Sequence, residues 1–268
     1  MCPGPASSAR SIATSRNLAL AWESVRGRNG SVPCMEVRDL HPWPGTPEEA
    51  RAIQDRLRPL LDLDDPAPVS PRTVAGLDVS YAGDGRDDGT AARLAAAVVV
   101  LDAGSLEVVE ESVVTGTAAF PYVPGLFAFR ELPALVEALR RLNTVPDLLV
   151  CDGYGLAHPR RFGLACHLGV LTGLPSLGIA KRPFVGAYDP PGEERGSAGP
   201  LRDGGEVVGR VLRTRQGVKP VFVSVGHRIG LDEACRVALA LSPEFRLPET
   251  TRRADRLSRD ALAGLLPS

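Results

Sequence analysis

The stretch DLLVCDGYGLAHPRRFGLACHLGVLTGLPSLGIAK, residues 147–181, sets the fold class. Its first five residues are a short apolar run closed by turn residues, the pattern of a buried strand. Residues 159–171 read as a helix, and 175–179 as a second buried strand. Two apolar strands joined through a helix run parallel, because the crossover is what returns the chain in the same direction. Just upstream, apolar residues at 126, 129, 132, 135, 136 and 139 mark one face of a helix over 125–142.

Further upstream the period changes. VAGLDVSY (74–81), 91–101 and 106–115 read as three strands, with a Gly- and Asp-rich loop at 82–90 and a turn at 102–105. Strands in succession with short links form an antiparallel meander. Downstream, 186–205 is rich in Gly, Pro and charge and reads as an inserted surface loop. Residues 207–214 and 220–225 read as a hairpin, and 231–241 and 250–264 as helices. A meander followed by strand–helix alternation is the element order of a ribonuclease H-like α/β fold, a mixed sheet flanked by helices. At the other end, Thr46 is an N-cap candidate, followed by Glu48 and Glu49 and by Ile53, Leu57 and Leu60 on one face. A Pro-rich connector follows at 65–71. Residues 1–35 lack a sustained period and read as a disordered extension. That leaves 36–268 as a single domain, with its core in 70–260.

Composition narrows the class. Of 268 residues, 44% are hydrophobic and 24% charged, the balance of a soluble globular chain and not of a disordered or collagenous one. No apolar run approaches the roughly 20 residues a bilayer requires, so no membrane span is expected. Five cysteines, odd in number and without CxxC spacing, argue against a disulfide framework or zinc site. With no signal peptide in evidence, reduced thiols and a cytoplasmic location are expected. No exposed apolar stripe points to a dimer, so a monomer is expected. Residues 1–150 carry 14 basic and 20 acidic side chains, residues 151–268 carry 17 and 12. The basic C-terminal half is compatible with a polyanionic partner, or with ordinary solvated faces.

Against that background, several residues stand out. Asp78 interrupts an apolar strand, where a lone carboxylate costs several kcal/mol unless paired or metal-bound; otherwise it is a strand-end side chain turned to solvent. Asp152 ends the strand of 148–151, the end at which ligands gather in open α/β sheets. Gly153 and Gly155, directly after it, allow close backbone approach to a ligand, or make a simple strand-to-helix turn. Glu131 sits on a helix that follows PYVPG (121–125), a stiff turn able to present Tyr122 outward. Rigid aromatic side chains can push into a base stack; the alternative is a packed loop aromatic. Asp78, Glu131 and Asp152 together offer hard oxygen ligands suited to Mg²⁺ and to two-metal phosphodiester cleavage. Lys181 and His158 add groups able to meet phosphate, with a surface role the alternative for each. A thiol nucleophile at Cys166 beside His167 is not expected, because adjacent helix residues point apart.

These segments, with SVGHRIGL (224–231) and RLPETTRRAD (246–255), occur in an order that resembles the endonuclease V family of deoxyinosine 3′ endonucleases. The resemblance spans most of residues 70–260. It implies a ribonuclease H-like fold and Mg²⁺-dependent cleavage, with Mn²⁺ able to substitute. It also implies action on DNA containing deoxyinosine, at the second phosphodiester bond 3′ to the lesion, leaving 3′-hydroxyl and 5′-phosphate ends. Asp78, Glu131 and Asp152 match the family's metal carboxylates, and Asp255 falls where a further ligand, His or Asp, stands. Tyr122, with Pro124 and Gly125, matches the wedge that fills the gap left by an extruded base. His158 matches a histidine near lesion and phosphates, and Lys181 a lysine at the scissile phosphate. Gly153 and Gly155 would line the hypoxanthine pocket. An inosine-specific endoribonuclease is the alternative within enzymes, and a non-catalytic binder of inosine nucleic acid the alternative outside them. Thr250 stands where the family often has Pro.

Overall fold

Side chains alternate across a strand, and the central strands of this chain bury both faces. The computed structural model describes residues 35–64, 69–82 and 92–264. Strands β1 (Thr73–Tyr81), β2 (Arg93–Asp102) and β3 (Val108–Thr117) form the antiparallel meander. β4 (Leu148–Asp152) runs parallel to β1, and β5 (Ser176–Ala180) parallel to β4. β6 (Ala198–Asp203), β7 (Glu206–Leu212) and β8 (Val221–His227) complete an eight-stranded sheet of order β3-β2-β1-β4-β5-β8-β7-β6. The helices are α1 (Pro47–Leu57), α2 (Ala128–Arg140), α3 (Leu164–Thr172), α4 (Leu231–Ala240) and α5 (Glu249–Ala263).

Ala75, Leu77, Leu149 and Cys151 point to one face, with Leu132 and Leu135 of α2 and Leu168 of α3. Val74, Leu148 and Val150 point to the other, with Val237 of α4 and Ala254 of α5. α5 lies close on β1 because residue 76 is glycine: a Cβ there would stand 2.2 Å from the Thr250 carbonyl oxygen. The Thr46 cap of α1 forms as a full capping box with Glu49.

Two expectations need correction. The segment 186–205 is not simply a loop: Ala198–Asp203 is β6, paired with β7, and Ala187 bridges to Arg202. Its Gly and Pro mask the period because it is an edge strand anchored mainly by Leu201, fully buried beside Val208, Val211 and Phe222. The helix expected over 159–171 begins only at Leu164. Arg161 takes a left-handed φ of 53° and Gly163 serves as an extended N-cap, so 159–163 is irregular. The loop at 82–90 lies outside the described residues except for Ala82. So does the extension at 1–35 except for Met35, which is buried in the core. Cys151, Cys166 and Cys235 are free and buried. Burial pushes the Cys166 and Cys235 thiols up to about 12, which leaves Cys166 inert at neutral pH. No helix among the described residues is long and apolar enough to cross a membrane.

Candidate active site

The carboxylates meet at the C-terminal ends of β1 and β4. Leu77 is paired with Cys151 in the parallel register, so Asp78 and Asp152 follow side by side on neighbouring strands. Both share the sheet face of Val74 and Val150, which α5 covers. Glu131 arrives from the first turn of α2 and is buried. Asp255 sits on α5, one turn before Ser258, whose Oγ donates to Asp78 Oδ2 at 2.8 Å.

Electrostatics tie the group together. Burial, and then the charges of Asp152 and Asp255, raise Asp78 from 3.8 to about 6, although the Ser258 bond and Lys181 pull the other way. Glu131 is raised well above the usual carboxylate range, first by burial and then by Asp78 and Asp152. Lys181 Nζ donates to Asp152 Oδ2 at 2.7 Å. Burial alone would lower the lysine, but Asp152, Asp78 and Asp255 outweigh it and the net shift is upward. Arg259 holds both oxygens of Asp255, with Nε 3.1 Å from Oδ1.

Among the described residues, no three His, Cys, Asp or Glu groups stand as a ready-made metal cage. The donor set nevertheless fits Mg²⁺. That ion retains several waters and takes one or two protein carboxylates plus substrate phosphate. Two acids whose ionised forms are disfavoured by burial and by each other's charge are the groups a cation would relieve.

Tyr122 is 41% exposed, its ring edge-on to Phe127 with centroids 5.6 Å apart. The turn beneath it is locked. Gly125 takes φ +81°, where a side chain would be strained, and its carbonyl accepts from Gln54 Nε2 at 3.0 Å, with His158 Nε2 3.8 Å from where a Cβ would stand. His158 is buried, and its Nδ1 accepts from the Arg160 N–H at 3.2 Å. Burial and then the neighbouring arginines lower it to about 4, so it is neutral. The ring thus lies beside the Gly125 turn that carries Tyr122, uncharged at neutral pH. Gly155 is also constrained from within the fold: its N–H donates to Ser224 Oγ at 2.8 Å, and a Cβ would stand 2.0 Å from the Val225 carbonyl oxygen. Gly153 is at φ +152° with its nearest neighbour 3.9 Å from a notional Cβ, so it is the roomier of the two. Pro124 lies between Tyr122 and Gly125 in the same turn.

Sequence reasoning missed three polar residues of this region. Gln54 lies on the apolar stripe of α1 with Ala50, Ile53 and Leu57, a visible signal, since a buried polar group requires a partner. Ser258 lies likewise among Thr251, Ala254 and Leu262 on the buried face of α5. Arg246, whose guanidinium donates to the carbonyls of Lys181 and Pro220 at 2.7 Å each, carried no local signal.

Comparison with known proteins adds the following. A family model described as Endonuclease V matches residues 55–256. The endonuclease V of Streptomyces avermitilis is 60% identical over 222 residues, covering 82% of this chain and 94% of that protein. The crystal structure of an endonuclease V from the same organism has a TM-score of 0.77 at 56% identity, covering 87% of this chain and 99% of the other. A variant of Ciona intestinalis endonuclease V was solved in complex with a 23mer DNA containing an inosine followed by a ribo-adenosine. It has a TM-score of 0.70 at 26% identity and covers 82% of this chain and all (100%) of that one.

Proposed function

The chain belongs to the endonuclease V family, and from that premise we propose that it is a metal-dependent repair nuclease acting at deoxyinosine in DNA. It hydrolyses the second phosphodiester bond 3′ to the lesion and leaves 3′-hydroxyl and 5′-phosphate ends. The observation that carries this reading is the convergence of Asp78, Glu131 and Asp152 from three separate elements, in a fold that also leaves Tyr122 exposed on a locked turn.

Asp78 and Asp152 would hold Mg²⁺, or Mn²⁺ in its place, with Glu131 and Asp255 completing the acidic rim. When bound, the ion supplies charge neutralisation at phosphate and a water of lowered pKa. Lys181 adds a fixed positive charge beside Asp152, available to a phosphate oxygen in the transition state. A base within a duplex hides its pairing edge, so recognition requires extrusion, and a weak inosine pair lowers that cost. Tyr122 then fills the gap, while Gln54 keeps its turn from yielding and His158, beside that turn, is available to the lesion and its phosphates. Gly153, with room beside it, lets the backbone approach the extruded base.

End-labelled oligonucleotides with one deoxyinosine test the reading. We expect a nick one nucleotide beyond the lesion with Mg²⁺ and none with chelator; a matched inosine-RNA strand serves as comparison. Uncut DNA beside cut RNA would overturn the DNA assignment, and no cut of either would overturn catalysis. Tyr122→Ala is expected to weaken inosine-DNA binding about tenfold, the scale of one base–aromatic stack. Its single-turnover rate at saturation should stay within about threefold of the unmodified protein. Unchanged affinity would remove the wedge role.

A further inference from the structure

We propose that Ser258 is a positioning residue for the Asp78 carboxylate, with Ser80 directing its proton. The inference rests on the metal-site reading above and goes beyond it to a residue with no assigned role.

Ser258 Oγ is fully buried and has three polar neighbours. Asp78 Oδ2 is at 2.8 Å, Ser80 Oγ at 2.7 Å and the Asp255 carbonyl oxygen at 3.0 Å. A serine hydroxyl has one hydrogen to give and lone pairs to accept with. The carboxylate and the carbonyl can only accept. Ser80 is therefore the partner that donates to Ser258, and the Ser258 hydrogen is left for the two acceptors. The ionised carboxylate is the stronger and nearer of them. The opposite arrangement, with Ser258 donating to Ser80, would set an oxygen lone pair against Asp78 Oδ2 at 2.8 Å. The chain thus runs from Ser80 to Ser258 to Asp78.

Two consequences follow for the site. The Ser258 bond holds Oδ2 of Asp78, which restrains rotation of the carboxylate and favours one direction for its other oxygen. The same hydroxyl joins β1 to α5 three residues after Asp255, so it couples the positions of two acids that lie 177 residues apart in the sequence. Partners of this kind, hydrogen-bonded to a metal carboxylate, typically account for about 10- to 100-fold in metal affinity.

The test is calorimetric titration of Mn²⁺ into the full-length protein without DNA, for the unmodified chain, S258A, S80A and the double variant. S258A is expected to bind about tenfold more weakly. S80A should lose about threefold, because the Ser258 hydroxyl then donates to Asp78 without the polarisation supplied by a donor at its own oxygen. The double variant should bind no more weakly than S258A, since both act through one chain. Affinity for inosine DNA in chelator should stay within about twofold, because Ser258 is buried and the two hydroxyls bond each other within the fold. S258A binding Mn²⁺ as well as the unmodified chain, or a double variant with additive loss, would overturn the inference. If melting curves show that S258A does not fold, S80A decides, and unchanged Mn²⁺ affinity overturns it. Absence of Mn²⁺ binding by the unmodified chain would instead overturn the metal reading beneath it.

Discussion

Asp78→Asn is expected to lower single-turnover cleavage of deoxyinosine DNA by about a thousandfold or more, the scale of several kcal/mol of lost transition-state stabilisation. The same change is expected to stabilise the metal-free protein at neutral pH. Asn is isosteric and its side-chain oxygen still accepts from Ser258, so the local packing is retained. What it loses is the negative charge. Burial raises Asp78 from 3.8 to about 6, so the folded state binds this proton more tightly than the unfolded chain does. Stability from that proton is complete below about pH 4 and is lost as pH rises to 6. Above it, the buried carboxylate costs about 3 kcal/mol, which Asn does not incur. Denaturation in chelator at pH 4 and pH 8 measures this: the advantage of D78N should be small at the lower pH and full at the higher. Turnover by D78N within tenfold of the unmodified chain would remove Asp78 from the chemistry.

The unequal legibility of the acids has a physical origin. Asp78 and Asp152 stand out because each interrupts or ends an apolar strand, where a charge is conspicuous. Their adjacency depends on the Leu77–Cys151 register, which no local pattern encodes. Glu131 draws notice only through the PYVPG segment before it and the two aspartates it joins. On a helix it has the spacing of an ordinary polar residue, and its burial comes from packing against the strand ends. Ser258 and Gln54 lie 180 and 71 residues from the groups they bond, so the sequence offers at most their place on an apolar stripe. The meander and the parallel strands were readable because buried strands write their period into the chain. β6 was not, since an edge strand anchored mainly by Leu201 needs little alternation. The helix start was misplaced because Pro159 resembles an N-terminal signal, whereas the left-handed Arg161 delays the helix to Leu164.

Gly155→Ala is expected to lower the melting temperature by about 10 °C, equivalent to a loss of about 3–5 kcal/mol in a domain of this size. The added Cβ would lie 2.0 Å from the Val225 carbonyl oxygen and 2.6 Å from its carbon, so backbone must move. Nothing flexible is available to yield. The Gly155 N–H is bonded to Ser224 Oγ, and the next residue, Leu156, donates to the Val225 carbonyl at 2.9 Å. Displacing this strap from β8 loosens two bonds and shifts the turn that begins at Asp152. Cleavage should therefore fall even for the fraction that remains folded, since a carboxylate moved by about 1 Å loses about a hundredfold in rate. Gly116→Ala is the matched control. A Cβ at residue 116 of β3 meets nothing within 4 Å, so that variant should melt within about 2 °C of the unmodified protein and cleave normally. Circular dichroism melting and single-turnover cleavage of the saturated complex measure both effects on one preparation. A G155A protein that melts with G116A would mean that β8 and the Asp152 turn are not held together at this contact. The glycine would then be free to serve the ligand side alone, as its position after Asp152 first implied.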